Sequence, residues 1–241
     1  MKQKEISSST LPINGGLNGS TEPNGESVDA MGDDHHGTSF DTPMRADAFD
    51  TDDELKIELI EKHFREIMLI LGMDLTDDSL KGTPRRVAKM YVQEIFSGLK
   101  PENRPVPRLF ENKYKYHEML VEKDITFHSN CEHHFVPIIG KAHVAYISTG
   151  KVIGLSKINR IVQYYAKRPQ VQERLTVQIA NDLKAILETD DVAVVMDADH
   201  MCVAMRGVED THSSTVTAHY SGKFQDSDTR REFLAYIGLN T

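Results

Sequence analysis

Apolar positions along this chain change period more than once, and each change marks an element. Leu55, Leu59, Ile60, Phe64, Ile67, Ile70 and Leu71 recur at intervals of three and four, which predicts an amphipathic helix. Thr51 and Glu54 stand at capping-box spacing at its start. A second helix is expected over "GTPRRVAKMYVQEIFSGL", with Thr83 as N-cap, Pro84 at the first helical position and Gly98 near the stop. "RPVPRLFEN" reads as a proline-bearing connection. From Tyr116 the alternation is that of strands: "HEMLVEKDITFHS", "HFVPIIGKAHVAYIS" and "KVIGL", with Thr149-Gly150 as a hairpin turn. Ser156 then caps "KINRIVQYYAK". Val171, Leu175, Ile179, Leu183 and Leu187 line one side of a long helix in "QVQERLTVQIANDLKAILE". "VAVVMDA", "HMCVAMRGV" and "SSTVTAHYSG" read as further strands, and a terminal helix lies around "DTRREFLAYI". The order predicts an α+β domain of antiparallel strands with helices packed on one face.

Residues 1–50 show almost no apolar periodicity and are rich in Ser, Gly, Asn, Thr and Asp. Such a segment buries too little to offset its ordering entropy, so a disordered tail is expected, with His35 and His36 solvated. Residues 51–115 form a helical region and residues 116–241 the main domain. The net charge of −9 is uneven, because residues 1–52 hold ten acidic side chains against three basic ones. The body is nearly balanced, which argues against a broad nucleic-acid face. No apolar run approaches a membrane span, and the N-terminus lacks the apolar core of a signal peptide. The expectation is a cytoplasmic protein with neither membrane nor nucleic-acid partners.

The two cysteines both fall in histidine-bearing clusters, "NCEHHFVP" and "DHMCVAM". Cys131 and His134 are three apart, a spacing at which two ligands converge on one ion from a turn. On a strand, His200 and Cys202 would share a face. Together Cys131, His134 and Cys202 make a Cys₂His set, whose soft donors favour zinc and whose fourth position stays open for water. His133 and His200 are left for proton transfer. A cysteine nucleophile with a histidine base is the competing reading of the same residues. "GLSKINR" puts Ser156, Lys157 and Arg160 at a helix start, where backbone N–H groups favour an anion. Arg206 lies four residues beyond Cys202, and "RRVAK" offers Arg85, Arg86 and Lys89; Arg85 is read as an ordinary solvated charge. Glu173, beside Gln172, can accept two parallel hydrogen bonds from an N–H/NH₂ edge, or can simply complement the helix dipole.

"CEHHFVPIIGKAHVAYI", "VIGLSKINRIVQYYAKRPQVQERLT", "HMCVAMRGV" and "TPRRVAKMYVQEIFSGL" together resemble the GTP cyclohydrolase I family, over about residues 54–238. The resemblance implies a tunnelling fold (T-fold): N-terminal helices, then a four-stranded antiparallel sheet with helices packed on it. Subunits of that family join their sheets into barrels, and two five-membered rings stack into a homodecamer. It implies conversion of GTP to formate and 7,8-dihydroneopterin triphosphate, with one zinc per subunit held by Cys131, His134 and Cys202. His200, His133 and Ser156 would serve the chemistry. Glu173 and the Gln172 backbone would hold guanine, and Lys89, Lys157, Arg160, Arg206 and more weakly Arg86 the triphosphate. A deazaguanine nitrile reductase on the same fold would instead need an attacking cysteine without the three-ligand set. A non-catalytic relative would have no use for the histidines and the cationic residues.

Overall fold

The computed structural model describes residues 41–239, so most of the expected tail, with His35 and His36, lies outside the described residues. Helix α1 spans Asp53–Ile70. Its N-cap is Asp52, whose carboxylate accepts from the Leu55 N–H at 2.8 Å, in place of the expected Thr51. A carboxylate at this position also complements the helix dipole, an advantage threonine lacks. Helix α2, Thr83–Lys89, starts one residue earlier than expected, with Gly82 as N-cap and Thr83 already helical. It widens into a π-type turn over Met90–Ile95. Ile57 packs with Ala88 and Val92, while the apolar face read from the sequence stays largely in solvent within one chain, Ile70 at 83% exposure. Periodicity identifies an apolar face without saying what covers it.

Seven strands follow among the described residues: β1 (Leu109–Glu111), β2 (Met119–Cys131), β3 (Pro137–Ile147), β4 (Lys151–Ile153), β5 (Pro169–Gln170), β6 (Val192–His200) and β7 (Thr215–Tyr220). The main sheet has the order β5-β2-β3-β6-β7, with each of β2, β3, β6 and β7 antiparallel to its neighbour among them and the two-residue β5 parallel to β2. The expected four-stranded sheet thus carries a short fifth strand at its edge. Thr149-Gly150 does not turn a hairpin. β4 pairs antiparallel with β1, inside the segment read as a connection, because the chain leaves the sheet after β3. A bulge sets Lys123 and Asp124 opposite His143, whose Nδ1 accepts the Asp124 N–H at 3.2 Å.

Helices α3 (Leu155–Ala166) and α4 (Gln172–Leu187) cover one face of the sheet. Leu175, Ile179, Leu183 and Leu187 are fully buried against Val144, Tyr146, Val194 and Met196, each worth about 1.5–3 kcal/mol in burial. Gly154, not Ser156, is the N-cap of α3, and Ser156 makes no cap bond. Helix α6 (Ser227–Tyr236), capped by Asp226, lies on the opposite face, where Phe233 packs with Ala145, Ile147, Ala193 and Val195. Helices therefore occupy both faces, correcting the one-sided expectation. Successive side chains point to opposite faces, and residues 144–147 of β3 and 192–196 of β6 are continuous apolar runs, so both faces of these strands are apolar there.

Residues 41–50, placed by sequence in the tail, dock on this body. The Asp41 carboxylate accepts from Arg168 Nη1 at 3.0 Å and Gln178 Nε2 at 2.6 Å, and Lys56 Nζ donates to the Ala48 carbonyl. Arg168 is itself held between the rings of Tyr164 and Tyr165.

Candidate metal centre

Strand register assembles the site. Asn130 of β2 lies opposite Pro137 of β3, and Ile138 opposite His200 of β6, so the turn 131–136 and the end of β6 meet at one end of the sheet. The turn is closed by two backbone bonds, Phe135 N–H to the Cys131 carbonyl and Cys131 N–H to the Val136 carbonyl. Phe135 takes a left-handed φ of 54°, a strained choice for a non-glycine residue, while its ring rests edge-on against Phe96.

Cys131, His134 and Cys202 converge there, all their donor atoms within 4.8 Å of one another. Two thiolates at about 2.3 Å from one tetrahedral zinc ion stand roughly 3.8 Å apart, inside that 4.8 Å bound, so the set fits such an ion with one position open. Cys202 reaches the cluster by another route than the sequence suggested. The strand ends at His200, and Cys202 sits on the one-turn helix α5, Met201–Ala204. His200 and Cys202 are therefore not strand neighbours on a common face. Burial and the neighbouring Cys131 push the Cys202 thiol up to about 11, so two clustered sulfurs need a cation to ionise together.

The two remaining histidines are differently supported. His133 Nδ1 is 3.7 Å from Cys131 Sγ, and its Nε2 is 3.8 Å from the Glu132 carboxylate. His200 Nε2 lies 2.7 Å from Gln172 Oε1. Burial lowers the His200 pKa, opposed by the charges of Glu173 and Asp199. The sequence assigned only the backbone of Gln172, yet its buried amide is the partner of His200 and also donates to the carbonyls of Met196 and Thr215. A second pair is not visible in the sequence. Arg174 forks onto Glu132, Nη1 to Oε2 at 2.5 Å and Nη2 to Oε1 at 3.1 Å. The available signal was an arginine in the first turn of α4, where the helix dipole disfavours a cation that lacks its own carboxylate.

Of the cationic candidates, Arg206 reaches the cluster, its Nη1 3.1 Å from His134 Nε2. A guanidinium only donates, so this contact requires His134 to carry its proton on Nδ1, the nitrogen facing Cys131. Coordination through Nδ1 would move that proton to Nε2 and release Arg206 toward an anionic ligand. Lys157 is half-buried in the first turn of α3, next to the exposed Ser156. Arg160 lines a cavity of about 250 Å³ with Ser97, Asn103 and Lys167. Lys89 ends α2 in solvent, and Arg86 is engaged by its own helix start, donating to the Ser79 carbonyl and Thr83 Oγ1. Arg85, read as a solvated charge, bridges α1 and α2 through Glu54 and Glu61, and those bonds raise its pKa. Glu173 is exposed at the second residue of α4.

Comparison with known proteins places these residues in context. The profile of the family described as "GTP cyclohydrolase I" matches residues 60–238. A protein of Flavobacterium johnsoniae named "GTP cyclohydrolase 1" is 61% identical over 218 residues, covering 90% of this chain and 98% of its own. Proteins of the same name from Citrobacter koseri and Vibrio parahaemolyticus are 55% and 56% identical, each over at least 81% of this chain and 89% of their own.

Proposed function

Because the chain belongs to the GTP cyclohydrolase I family, we propose that Cys131, His134 and Cys202 hold one zinc ion per subunit beside the GTP imidazole ring. The activity is hydrolytic opening of that ring at C8, release of formate and rearrangement to 7,8-dihydroneopterin triphosphate, the first step of tetrahydrofolate and pterin biosynthesis. A zinc ion there supplies Lewis-acid activation of water at neutral pH. His200 delivers a proton to purine N7, which makes C8 electrophilic, and the Gln172 amide fixes the ring that delivers it. His133 moves the proton released when water adds to C8. Glu173 accepts the guanine N–H/NH₂ edge, and Arg206, Lys157, Arg160, Lys89 and Arg86 receive the triphosphate, with Ser156 beside the ribose. The observation that carries this reading is the convergence of a Cys₂His set and two further histidines at one sheet end.

Several of those cations are distributed over α2 and α3 away from the cluster's own turn, which suits a site completed by a neighbouring chain. We extend the proposal to a homodecamer of two stacked rings, supported by the exposed apolar face of α1 and by β7, an edge strand with Val216 in solvent. Among the described residues no helix is long and apolar enough to cross a membrane, and the proposed compartment is the cytoplasm. The test is His200→Ala in the zinc-loaded protein. It is expected to bind GTP with near-parent affinity while formate release falls by at least about a hundredfold. A parent-like rate of formate release would remove His200 from the acid role.

A further inference from the structure

Arg174 sits where an arginine needs a reason. It is the third residue of α4, its side chain is 5% exposed, and a cation there opposes the helix dipole. Its partner Glu132, 18% exposed, stands between the ligand Cys131 and the proton-transfer candidate His133. The two meet in a bidentate fork, the strongest and most directional of carboxylate–cation contacts. A further tie joins the same places: Cys131 pairs in register with Gln170 of β5, and in that pairing the Glu132 N–H donates to the Gln170 carbonyl at 3.0 Å. Two residues before Arg174, Gln172 holds His200. One helical turn thus fastens the ligand-bearing turn through Arg174 and the opposite histidine through Gln172.

We propose that Arg174 is a positioning residue for the metal turn, acting through Glu132 to hold Cys131, His133 and His134 at the spacing that binding and proton transfer require. The inference rests on the metal reading above. Neither side chain needs to touch the substrate. The pair orients its neighbours as outer partners of metal ligands do, through backbone and adjacent side chains. A purely structural ion pair would affect folding stability and leave the folded site unchanged. A positioning pair changes zinc affinity and the rate at saturating substrate.

The experiment compares the parent chain with Arg174→Gln, Glu132→Gln, Arg174→Lys and the double variant Glu132→Gln/Arg174→Gln. Zinc affinity is read by chelator competition, and kcat and KM for GTP by formate release. Each neutral single variant is expected to bind zinc about 10–100-fold more weakly, with kcat reduced and KM within about twofold of the parent. Arg174→Lys keeps the charge but not the fork, and should fall between parent and Arg174→Gln. The double variant leaves no unpaired buried charge and should bind zinc more tightly than either single one. If a neutral variant fails to fold, Arg174→Lys and the double variant carry the comparison. Folded variants with parent-like zinc affinity and kcat, or a loss confined to thermal stability, would overturn the proposal. A parent chain that binds no zinc would instead remove the metal reading and this inference with it.

Discussion

At the scale of single residues, the site divides its labour by what each side chain touches. Gln172 is buried with three hydrogen bonds, one of them to the histidine assigned as acid. Gln172→Ala removes the side-chain donor to the Met196 and Thr215 carbonyls and leaves the His200 ring without its Gln172 contact. It is expected to lower the rate of formate release at least about tenfold and to cost about 1–3 kcal/mol of stability, both measurable on one preparation by turnover and urea unfolding. A variant with unchanged turnover would show that His200 needs no such partner. That Cys131, His134 and Cys202 cluster was legible from residue type and spacing, because cysteine is scarce in this chain and each of its two copies stands among histidines. Glu132 and Arg174 were not legible as a pair. They lie 42 positions apart, and only the β5–β2 pairing and the start of α4 bring them together.

At the scale of elements, pattern predicted position better than it predicted caps and partners. Leu175, Ile179, Leu183 and Leu187 are buried as their four-residue spacing required, while Val171, first of the expected stripe, is the half-buried N-cap of α4. Leu183→Ala, in the middle of that stripe, should cost about 2–5 kcal/mol by urea unfolding. The caps turned on chemistry that spacing does not resolve: Asp52 displaces Thr51, and Gly154 displaces Ser156. Thermal unfolding separates the two candidates at α1. Asp52→Ala should cost about 1 kcal/mol and Thr51→Ala less than about 0.5 kcal/mol; the reverse order would reinstate the threonine. The β1–β4 pairing was hidden because three-residue strands carry too little alternation to register. By sequence Cys202 reads as a strand residue, because "HMCVAM" is apolar enough to continue β6, and only the structure shows the turn into α5.

At the scale of the whole molecule, two features lie outside the site. His143 and His219 are both held below the ordinary histidine range near 6.5, mainly by burial. Asp124 and Asp197 oppose the shift at His143 while Lys141 and Lys123 add to it, and Lys184 adds to that at His219. The unfolded chain therefore binds protons that the folded one refuses. Stability should be full above about pH 6.5 and decline as pH falls through that value. The urea midpoint is expected to drop between pH 7.5 and 5.5, and His143→Gln/His219→Gln should flatten the slope; an unchanged slope would assign it elsewhere. The second feature is the docked segment 41–50. A truncation ending at residue 40 keeps the Asp41–Arg168 bond, whereas one ending at residue 50 removes it and uncovers the pocket beneath Met44 and Phe49. The longer truncation should lower the melting midpoint and the shorter should not. The sequence treated all fifty residues alike because Asp41 and Phe49 sit in a stretch without apolar periodicity.

The proposal beneath all of these is that Cys131, His134 and Cys202 hold the zinc on which GTP ring opening depends. Its most direct test is zinc content measured beside formate release from GTP on the purified full chain, during graded removal of metal by a chelator and its re-addition. One zinc per chain is expected, with formate release falling in proportion to zinc lost and recovering when zinc is restored. Undiminished formate release from the metal-depleted chain would contradict it.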